Sequence, residues 1–181
     1  VINGLSNSFH PCQILADFMT IKEKKKNFKG LKIAWIGDGN NVCNSMIYGC
    51  ALSGVKISIA TPKGFEPDKT VIHESKKFID INLTTDPVNA IKNADVVVTD
   101  TYSSIHNNDL KRINKFLPKY QINQTLMNNA QRDAIFMHCL PAKRESEVTS
   151  SVIDGPQSVV WDEAENRLHT QKALLTSLIR A

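Results

Sequence analysis

The chain has 181 residues, of which 41% are hydrophobic and 22% are charged, and its formal net charge is +4. This length suits a single domain with its own core, and the composition is ordinary for a soluble globular protein. No apolar stretch approaches the roughly 20 residues of a membrane span, so we expect no membrane partner.

Much of the positive charge lies in the run Lys22-Glu23-Lys24-Lys25-Lys26. Such a run can contact nucleic acid, but neither interleaved aromatic residues nor a second basic cluster supports that interpretation. We favour a solvated helix end, where cations suit the negative pole of the helix dipole, and expect no nucleic-acid partner.

Cysteine usage indicates a reducing environment. The cysteines form no CxxC pair, and this predicts free thiols in a cytoplasmic chain rather than a disulfide framework. The start of the chain lacks the basic and apolar regions of a signal peptide, and the missing initiator Met suggests a domain of a longer protein. The four cysteines are Cys12, Cys43, Cys50 and Cys139.

Strand-like and helix-like segments alternate along the chain. Helices are predicted from Pro11 to about residue 26, at 42–53, at 68–78, after Asp86-Pro87, at 120–129 and at 163–179, with an irregular stretch at 101–117. Strands are predicted at 31–36, 55–60, 79–83, 95–100, 134–139 and 158–161. The alternation predicts an α/β fold with a doubly wound, Rossmann-like parallel sheet in one domain, residues 1–181.

Two of these elements carry expectations about burial. The strand at 95–100 contains Val96-Val97-Val98 and is predicted to be buried on both faces. The second helix is predicted to bury one apolar face. That face comprises Val42, Met46, Tyr48 and Leu52.

The first strand runs into Gly37-Asp38-Gly39-Asn40-Asn41, at the edge where such sheets bind ligands. A dinucleotide site is disfavoured because Val42 replaces the third glycine of the fingerprint. Helical N–H groups together with an asparagine side chain can instead hold a carboxylate. One of the two amides is expected to cap the helix, which leaves the other to bind.

The fourth strand ends in Asp100-Thr101-Tyr102-Ser103-Ser104. A carboxylate at a strand end can hold an ammonium group, and nearby hydroxyls can add hydrogen bonds. An aspartate that merely initiates a turn is the alternative, and the segment alone does not decide between them.

The fifth strand ends in His138-Cys139-Leu140-Pro141. Consecutive strand residues point to opposite faces, which argues against a metal site and against a Cys–His nucleophile pair. Pro141 must end the strand, so the Cys139 thiol and the Leu140 main chain are left at the ligand edge. A small buried filler remains the alternative for Cys139.

Two helix starts complete the set. His10 and Gln13 are three residues apart on one helical face, so both can point donors at one oxygen. Arg167, in Glu163-Ala164-Glu165-Asn166-Arg167, can clamp an anion or a carbonyl. Its alternative is a surface arginine paired with Glu163.

Taken together and in order, these segments resemble the carbamoyltransferases, most closely the ornithine carbamoyltransferase family. The matching pieces are His10-Pro11-Cys12-Gln13, Gly37-Asp38-Gly39-Asn40-Asn41, Asp100-Thr101-Tyr102-Ser103-Ser104, Phe136-Met137-His138-Cys139-Leu140-Pro141-Ala142 and Ala164-Glu165-Asn166-Arg167. The His-Cys-Leu-Pro run indicates ornithine rather than aspartate as the acceptor.

The resemblance implies a role for each matched residue. His10, Gln13 and Arg167 would polarise the carbonyl of carbamoyl phosphate. The remaining residues would contact ornithine, and no cofactor or metal would be needed because phosphate is a good leaving group. They are Cys139 and the Leu140 carbonyl at the δ-amine, Asp100 and Ser104 at the α-amino group, and Asn41 at the carboxylate.

Two features depart from the family. Its Asp-Thr-x-x-Ser segment continues Met-Gly on a loop that closes over ornithine, whereas this chain has Ile105-His106. Ile105 can replace Met as an apolar lid, but His106 adds a β-carbon where the family has glycine, a change that bears on loop closure and acceptor specificity. The family's N-terminal carbamoyl-phosphate domain, with its Ser-Thr-Arg-Thr loop, has no counterpart here.

The resemblance therefore implies an ornithine-binding C-terminal domain whose parent makes citrulline and phosphate as a homo-trimer or a multiple of trimers. The fragment alone is expected to be inactive. Two alternatives stay open. One is a carbamoyltransferase for another amine, such as putrescine or an acylated ornithine, and the other is a non-catalytic ligand-binding domain of the same fold.

Overall fold

A computed structural model describes residues 1–102 and 110–179. Within them, five parallel strands form one sheet in the order β3-β2-β1-β4-β5, with helices on both faces. The predicted doubly wound α/β fold is confirmed. The strands are β1 (Lys32–Ile36), β2 (Lys56–Ala60), β3 (Ile81–Thr84), β4 (Val96–Thr99) and β5 (Ile135–His138).

The helices divide between two buried apolar clusters, one on each face of the sheet. The first cluster holds residues of the first three helices, and the second holds residues of the fourth, sixth, seventh and eighth. No helix among the described residues combines the length and apolar character needed to cross a membrane. The helices described are α1 (Pro11–Lys25), α2 (Asn41–Ser53), α3 (Lys69–Ser75), α4 (Pro87–Ile91), α5 (Leu110–Ile113), α6 (Gln124–Met127), α7 (Ser150–Ile153) and α8 (Val160–Ile179).

Strand β4 shows why the sheet is apolar on both sides. Val96 and Val98 belong to the first cluster, whereas Val97 belongs to the second, as the alternation of side chains along a strand requires. All three valines are at most 2% exposed. The prediction that this strand is buried on both faces is confirmed.

The order of the strands creates a switch point between β1 and β4. Strand β1 pairs with β2 on one side and with β4 on the other, in parallel register with Trp35 opposite Val98. The connections leave β1 and β4 in opposite directions, so a crevice opens beyond their carboxyl ends. Two of the candidate residues, Asn41 and Asp100, follow β1 and β4 at this crevice.

The predicted sixth strand at 158–161 is wrong. Ser158 forms only an isolated bridge with Phe136 in β5, and α8 begins two residues later at Val160. The carbonyl of Val159 already accepts the N–H of Glu163, which is a helical hydrogen bond. β-forming side chains at a helix start caused the error, because propensity is weaker than tertiary context.

Two smaller predictions are corrected as well. The helix predicted at 120–129 is restricted to α6, which begins after Asn123, whose side chain accepts the N–H of Leu126. The stretch predicted to be irregular at 101–117 contains the short helix α5.

The predicted buried face of α2 is only partly right. Val42 and Met46 are at most 4% exposed, and Tyr48 is half-buried, but Leu52 is 90% exposed. Ten helical steps of about 100° rotate Leu52 roughly 80° away from Val42. Leu52 instead lines an apolar groove on the outer side of α1 and α2, with Leu15, Phe18, Leu174 and Leu178 among its other residues.

Candidate functional site

The turn between β1 and α2 is held tightly against the chain that follows β2. Gly37 N–H donates to the Ala60 carbonyl and Gly39 N–H donates to the Phe65 carbonyl, both within 2.9 Å. A β-carbon on Gly39 would lie 2.2 Å from the nitrogen of Pro67, so only glycine fits. The turn therefore presents the next two residues in a defined position.

Of the two adjacent amides, Asn40 is the helix cap. Its Oδ1 accepts the N–H groups of Val42 and Cys43 at 3.1 Å each, which satisfies two of the free donors at the start of α2. The side chain of Asn41 does not cap the helix, and its Nδ2 donates to the carbonyl of Ser6 at 2.8 Å.

Asp100 connects the carboxyl ends of three strands. Its Oδ2 accepts Asn40 Nδ2 at 2.6 Å, and its Oδ1 accepts the Cys139 thiol at 3.2 Å and the Thr101 N–H at 2.7 Å. Asn40 follows β1, Asp100 follows β4 and Cys139 follows β5. The structure thus brings together two predicted site residues, Asp100 and Cys139, and adds Asn40 to them.

The surroundings of Cys139 keep its thiol protonated. Burial raises its pKa well above the usual value, and the nearby carboxyl groups of Asp100 and Glu163 raise it further. A protonated thiol is a weak nucleophile, so the geometry suits hydrogen bonding better than covalent catalysis.

His138 is completely buried, and both of its ring nitrogens face protein groups. Nδ1 accepts the Leu140 N–H at 2.9 Å, and Nε2 lies 3.4 Å from Oε1 of the buried Glu147. One ligand atom each of Asp100, His138 and Cys139 lies within 4.8 Å of the others, closer than strand alternation predicts. The reason is that β5 ends at His138, so Cys139 no longer follows the pleat.

Leu140 adopts a left-handed backbone conformation, with φ of 56°. For a leucine this costs on the order of 1–3 kcal/mol. The hydrogen bond from Leu140 N–H to the His138 ring offsets part of that cost and orients the peptide group beside Cys139.

The predicted carbonyl-binding residues form a second cluster, between α1 and α8. His10 precedes the first turn of α1, and its N–H donates to Ser45 Oγ at 2.8 Å. Burial and the nearby Arg167 charge lower the pKa of His10, so the ring is neutral at neutral pH. Its buried Nδ1 has no hydrogen-bond partner among the described residues.

Arg167 pairs with Gln13. The alternative interpretation had paired it with Glu163 on the surface. Arg167 Nη1 donates to Gln13 Oε1 at 2.5 Å, while Gln13 Nε2 donates to Asp17 Oδ1 at 2.8 Å and to Glu163 Oε1 at 3.0 Å. All polar atoms of the Gln13 amide are engaged inside the protein. The structure therefore joins the fully buried Gln13 to the half-buried Arg167.

Two predicted site residues, Ser104 and Ile105, lie outside the described residues, and so does His106. The structure describes the segment up to Tyr102 and resumes at Leu110. Tyr102 is buried, and its hydroxyl donates to the Tyr120 carbonyl.

Sequence reasoning missed three buried acids: Asp17, Glu147 and Glu163. Asp17 and Glu163 are each 1% exposed and Glu147 is fully buried. A signal existed for two of them, because Asp17 lies four residues after Gln13 and Glu163 lies four residues before Arg167, on shared helical faces. No comparable spacing marks Glu147.

A doubly wound sheet with converging polar side chains beyond the ends of β1, β4 and β5 defines a small-molecule-binding α/β domain.

Comparison with known proteins is more specific. The family described as Aspartate/ornithine carbamoyltransferase, Asp/Orn binding domain, matches residues 29–178. The chain belongs to this aspartate/ornithine carbamoyltransferase family.

Named relatives agree with this assignment. The ornithine carbamoyltransferase of Cenarchaeum symbiosum is 65% identical over 178 residues, which cover 98% of this chain and 59% of that protein. The ornithine carbamoyltransferase of Methanocaldococcus jannaschii is 53% identical over 181 residues, which cover 96% of this chain and 59% of that protein. The solved structure of ornithine carbamoyltransferase from Pyrococcus furiosus superposes with a TM-score of 0.92 at 49% identity. The match covers 97% of this chain and 58% of that one. The chain thus spans about three-fifths of the length of these relatives.

Proposed function

We propose that residues 1–181 are the ornithine-binding, C-terminal domain of an ornithine carbamoyltransferase. The parent enzyme would transfer the carbamoyl group of carbamoyl phosphate to the δ-amine of ornithine, giving citrulline and phosphate. The observation that carries this proposal is the Asp100–Cys139 contact of 3.2 Å at the carboxyl ends of β4 and β5, beside the switch point of the sheet. The names of the relatives support the choice of ornithine.

Each group of residues has a chemical task in this proposal. The amine nitrogen attacks the carbonyl carbon, the bond from that carbon to the phosphate oxygen breaks, and the amine loses a proton. The negative charge that develops on the carbonyl oxygen needs preorganised donors. His10 and Arg167 supply them, and Gln13 holds the Arg167 guanidinium in place.

The acceptor would lie across the ends of β1, β4 and β5. Cys139 and the Leu140 carbonyl would flank the δ-amine, Asp100 and Ser104 would bind the α-amino group, and Asn41 would bind the carboxylate. The carboxylate of Asp100 attracts an ammonium group, whereas the neutral thiol of Cys139 does not repel one. Fixing both substrates face to face removes much of the entropic cost of their encounter.

Several properties of the parent belong to the same proposal. The carbamoyl-phosphate domain would come from the part of the enzyme outside this chain, and the assembly would be a homo-trimer or a multiple of trimers. The free thiols suit a cytoplasmic enzyme. The reaction needs no redox cofactor, since phosphate leaves with the electrons of the broken bond.

A chimaera tests the proposal. The 178-residue matching region of the Cenarchaeum symbiosum enzyme is replaced by this chain, and citrulline formation is measured with carbamoyl phosphate and ornithine. We expect the chimaera to be active, its Cys139→Ala variant to lose most of its kcat/KM, and the 181 residues alone to form no citrulline. Citrulline formed by the isolated chain above background would contradict the last expectation.

The same assay separates the competing functions. Ile105-His106, in place of the family's Met-Gly, is the observation that favours another acceptor. Putrescine or an acylated ornithine giving a higher kcat/KM than ornithine would establish that alternative. A folded chimaera that binds no ornithine by calorimetry, even with carbamoyl phosphate present, would overturn the proposal.

A further inference from the structure

The interface between α1 and α8 contains two acidic side chains that the proposed reaction does not use. Asp17 in α1 and Glu163 in α8 are each 1% exposed, and both contact the amide of the fully buried Gln13. Acidic side chains are rarely buried this completely without a specific partner.

The amide of Gln13 can adopt only one orientation in this cluster. Its Nε2 carries two protons, and one is directed at Asp17 Oδ1 and the other at Glu163 Oε1. Its Oε1 then faces Arg167 and accepts Nη1 at 2.5 Å. Reversing the amide would place its oxygen against two carboxyl groups and its NH₂ against a guanidinium, so the carboxyl pair sets the orientation.

If Asp17 and Glu163 were both ionised, the charged groups around them could not neutralise their two negative charges. Arg167 is the cation that lowers the pKa of Asp17, and its guanidinium is hydrogen-bonded to Gln13 instead of to either carboxyl group. Asp100, beyond the end of β4, adds negative charge. From the end of β5, the His138 N–H donates to Glu163 Oε2 at 2.9 Å, and the Cys139 thiol lies nearby.

Two adjacent buried carboxyl groups with so little positive charge cannot both be ionised. Burial raises the pKa of Asp17 to about 7. Burial, followed by the charge of Asp17, raises the pKa of Glu163 well above its usual range. Both carboxyl groups contact the same nitrogen, Gln13 Nε2, so a proton on one of them relieves the repulsion between them.

We propose that Asp17 and Glu163 share a proton and act as a positioning pair, which fixes the Gln13 amide and thereby aims Arg167 into the site. The consequence for catalysis rests on the proposed function. The shared proton and the fixed orientation of Gln13 do not depend on the proposed function. Both can be measured in this chain alone.

Asp17→Asn is the informative variant. The introduced amide can still accept Gln13 Nε2 through its oxygen and can donate to an ionised Glu163 through its NH₂, so it reproduces the one-proton state. Asp17→Ala removes both contacts. Asp80→Asn is the matched control, because Asp80 is exposed and lies far along the chain from this cluster.

The first measurement is urea unfolding as a function of pH. Raised carboxyl pKa values mean that the folded state is most favoured below the usual carboxyl pKa and loses stability as pH rises toward the raised value. The folding equilibrium constant of Asp17→Asn, relative to the unsubstituted chain, should therefore rise by up to about tenfold per pH unit between about pH 5 and pH 7. Asp80→Asn should show no such trend.

The second measurement is the NMR signal of the Gln13 side-chain amide. Both of its protons should exchange slowly with water in the unsubstituted chain and in Asp17→Asn, and rapidly in Asp17→Ala. If Asp17→Ala fails to fold, the first two proteins still decide. An identical pH dependence of stability in Asp17→Asn and the unsubstituted chain, or fast exchange in both, would overturn the proposal, whatever the acceptor of the enzyme proves to be.

Discussion

The Cys139 thiol donates a hydrogen bond to Asp100 Oδ1 across 3.2 Å, beyond the register pair Thr99 and His138 of β4 and β5. Each residue follows directly on its strand, so the contact is set by the parallel register of the sheet. A carboxylate that accepts from a thiol keeps the thiol protonated, and its negative charge can still attract a cation.

Asp100→Asn should make Cys139 more reactive. Burial is the largest cause of the raised thiol pKa, and the Asp100 charge is the next, so removing that charge increases the thiolate fraction. We expect the rate of iodoacetamide labelling at pH 8 to rise several-fold, as followed by mass spectrometry. Cys12, Cys43 and Cys50 are buried and serve as internal controls for folding. An unchanged labelling rate at Cys139 would contradict the electrostatic assignment.

Asn40 and Asn41 offer a matched pair of substitutions. Asn40→Ala removes the α2 cap and the contact with Asp100, and should lower the free energy of unfolding by about 1–2 kcal/mol. Asn41→Ala removes one exposed contact with Ser6 and should change stability by less than about 0.5 kcal/mol. Urea denaturation of both variants measures the difference, and equal losses would show that the cap has been assigned to the wrong amide.

Gly39→Ala should disturb the turn between β1 and α2. Its β-carbon would overlap the backbone of residues 65–67, which cannot move aside as a flexible side chain would. We expect a loss of roughly 1–3 kcal/mol in the free energy of unfolding. Gly4→Ala is the control, since its β-carbon would meet nothing within 4 Å. Thermal and urea unfolding compare the two, and a Gly39→Ala protein as stable as the control would refute the close approach.

His10 should titrate below its usual pKa of 6.5, because burial and then the Arg167 charge disfavour the imidazolium. As pH falls past 6.5, the unfolded chain takes up this proton first, so the folded state loses stability. The NMR titration midpoint of the His10 ring should therefore lie below 6.5 and should move upward in Arg167→Gln. A midpoint that is unchanged in Arg167→Gln would contradict the effect of the Arg167 charge on the pKa of His10.

The sequence predicted the sheet and the strand ends well because those features depend on short-range patterns. Val96-Val97-Val98 can be recognised as a doubly buried strand from its neighbours alone. The prediction failed where local preference and tertiary context disagree. Val159 and Val160 favour a strand by composition, yet they lie where α8 begins.

The buried acids Asp17 and Glu163 were not predicted as part of the site for a related reason. The sequence offered Glu163 only as an alternative surface partner of Arg167, whereas its partner Gln13 is 150 residues away along the chain. Nothing in the spacing of either segment shows that the two helices pack side by side. The capping role of Asn40, in contrast, depends on residues two and three positions away and could be anticipated.

The hydrogen bond between Gln13 and Arg167 joins positions 154 residues apart. A contact of such long sequence separation closes a large loop, and the entropic cost of that closure delays it. During synthesis, α1 emerges long before α8 exists to cover Asp17 and Gln13. The part of the site that would polarise the carbonyl is thus assembled only when α8 has been translated, and a chain that stops before α8 leaves Asp17 and Gln13 in water with no Arg167 to position.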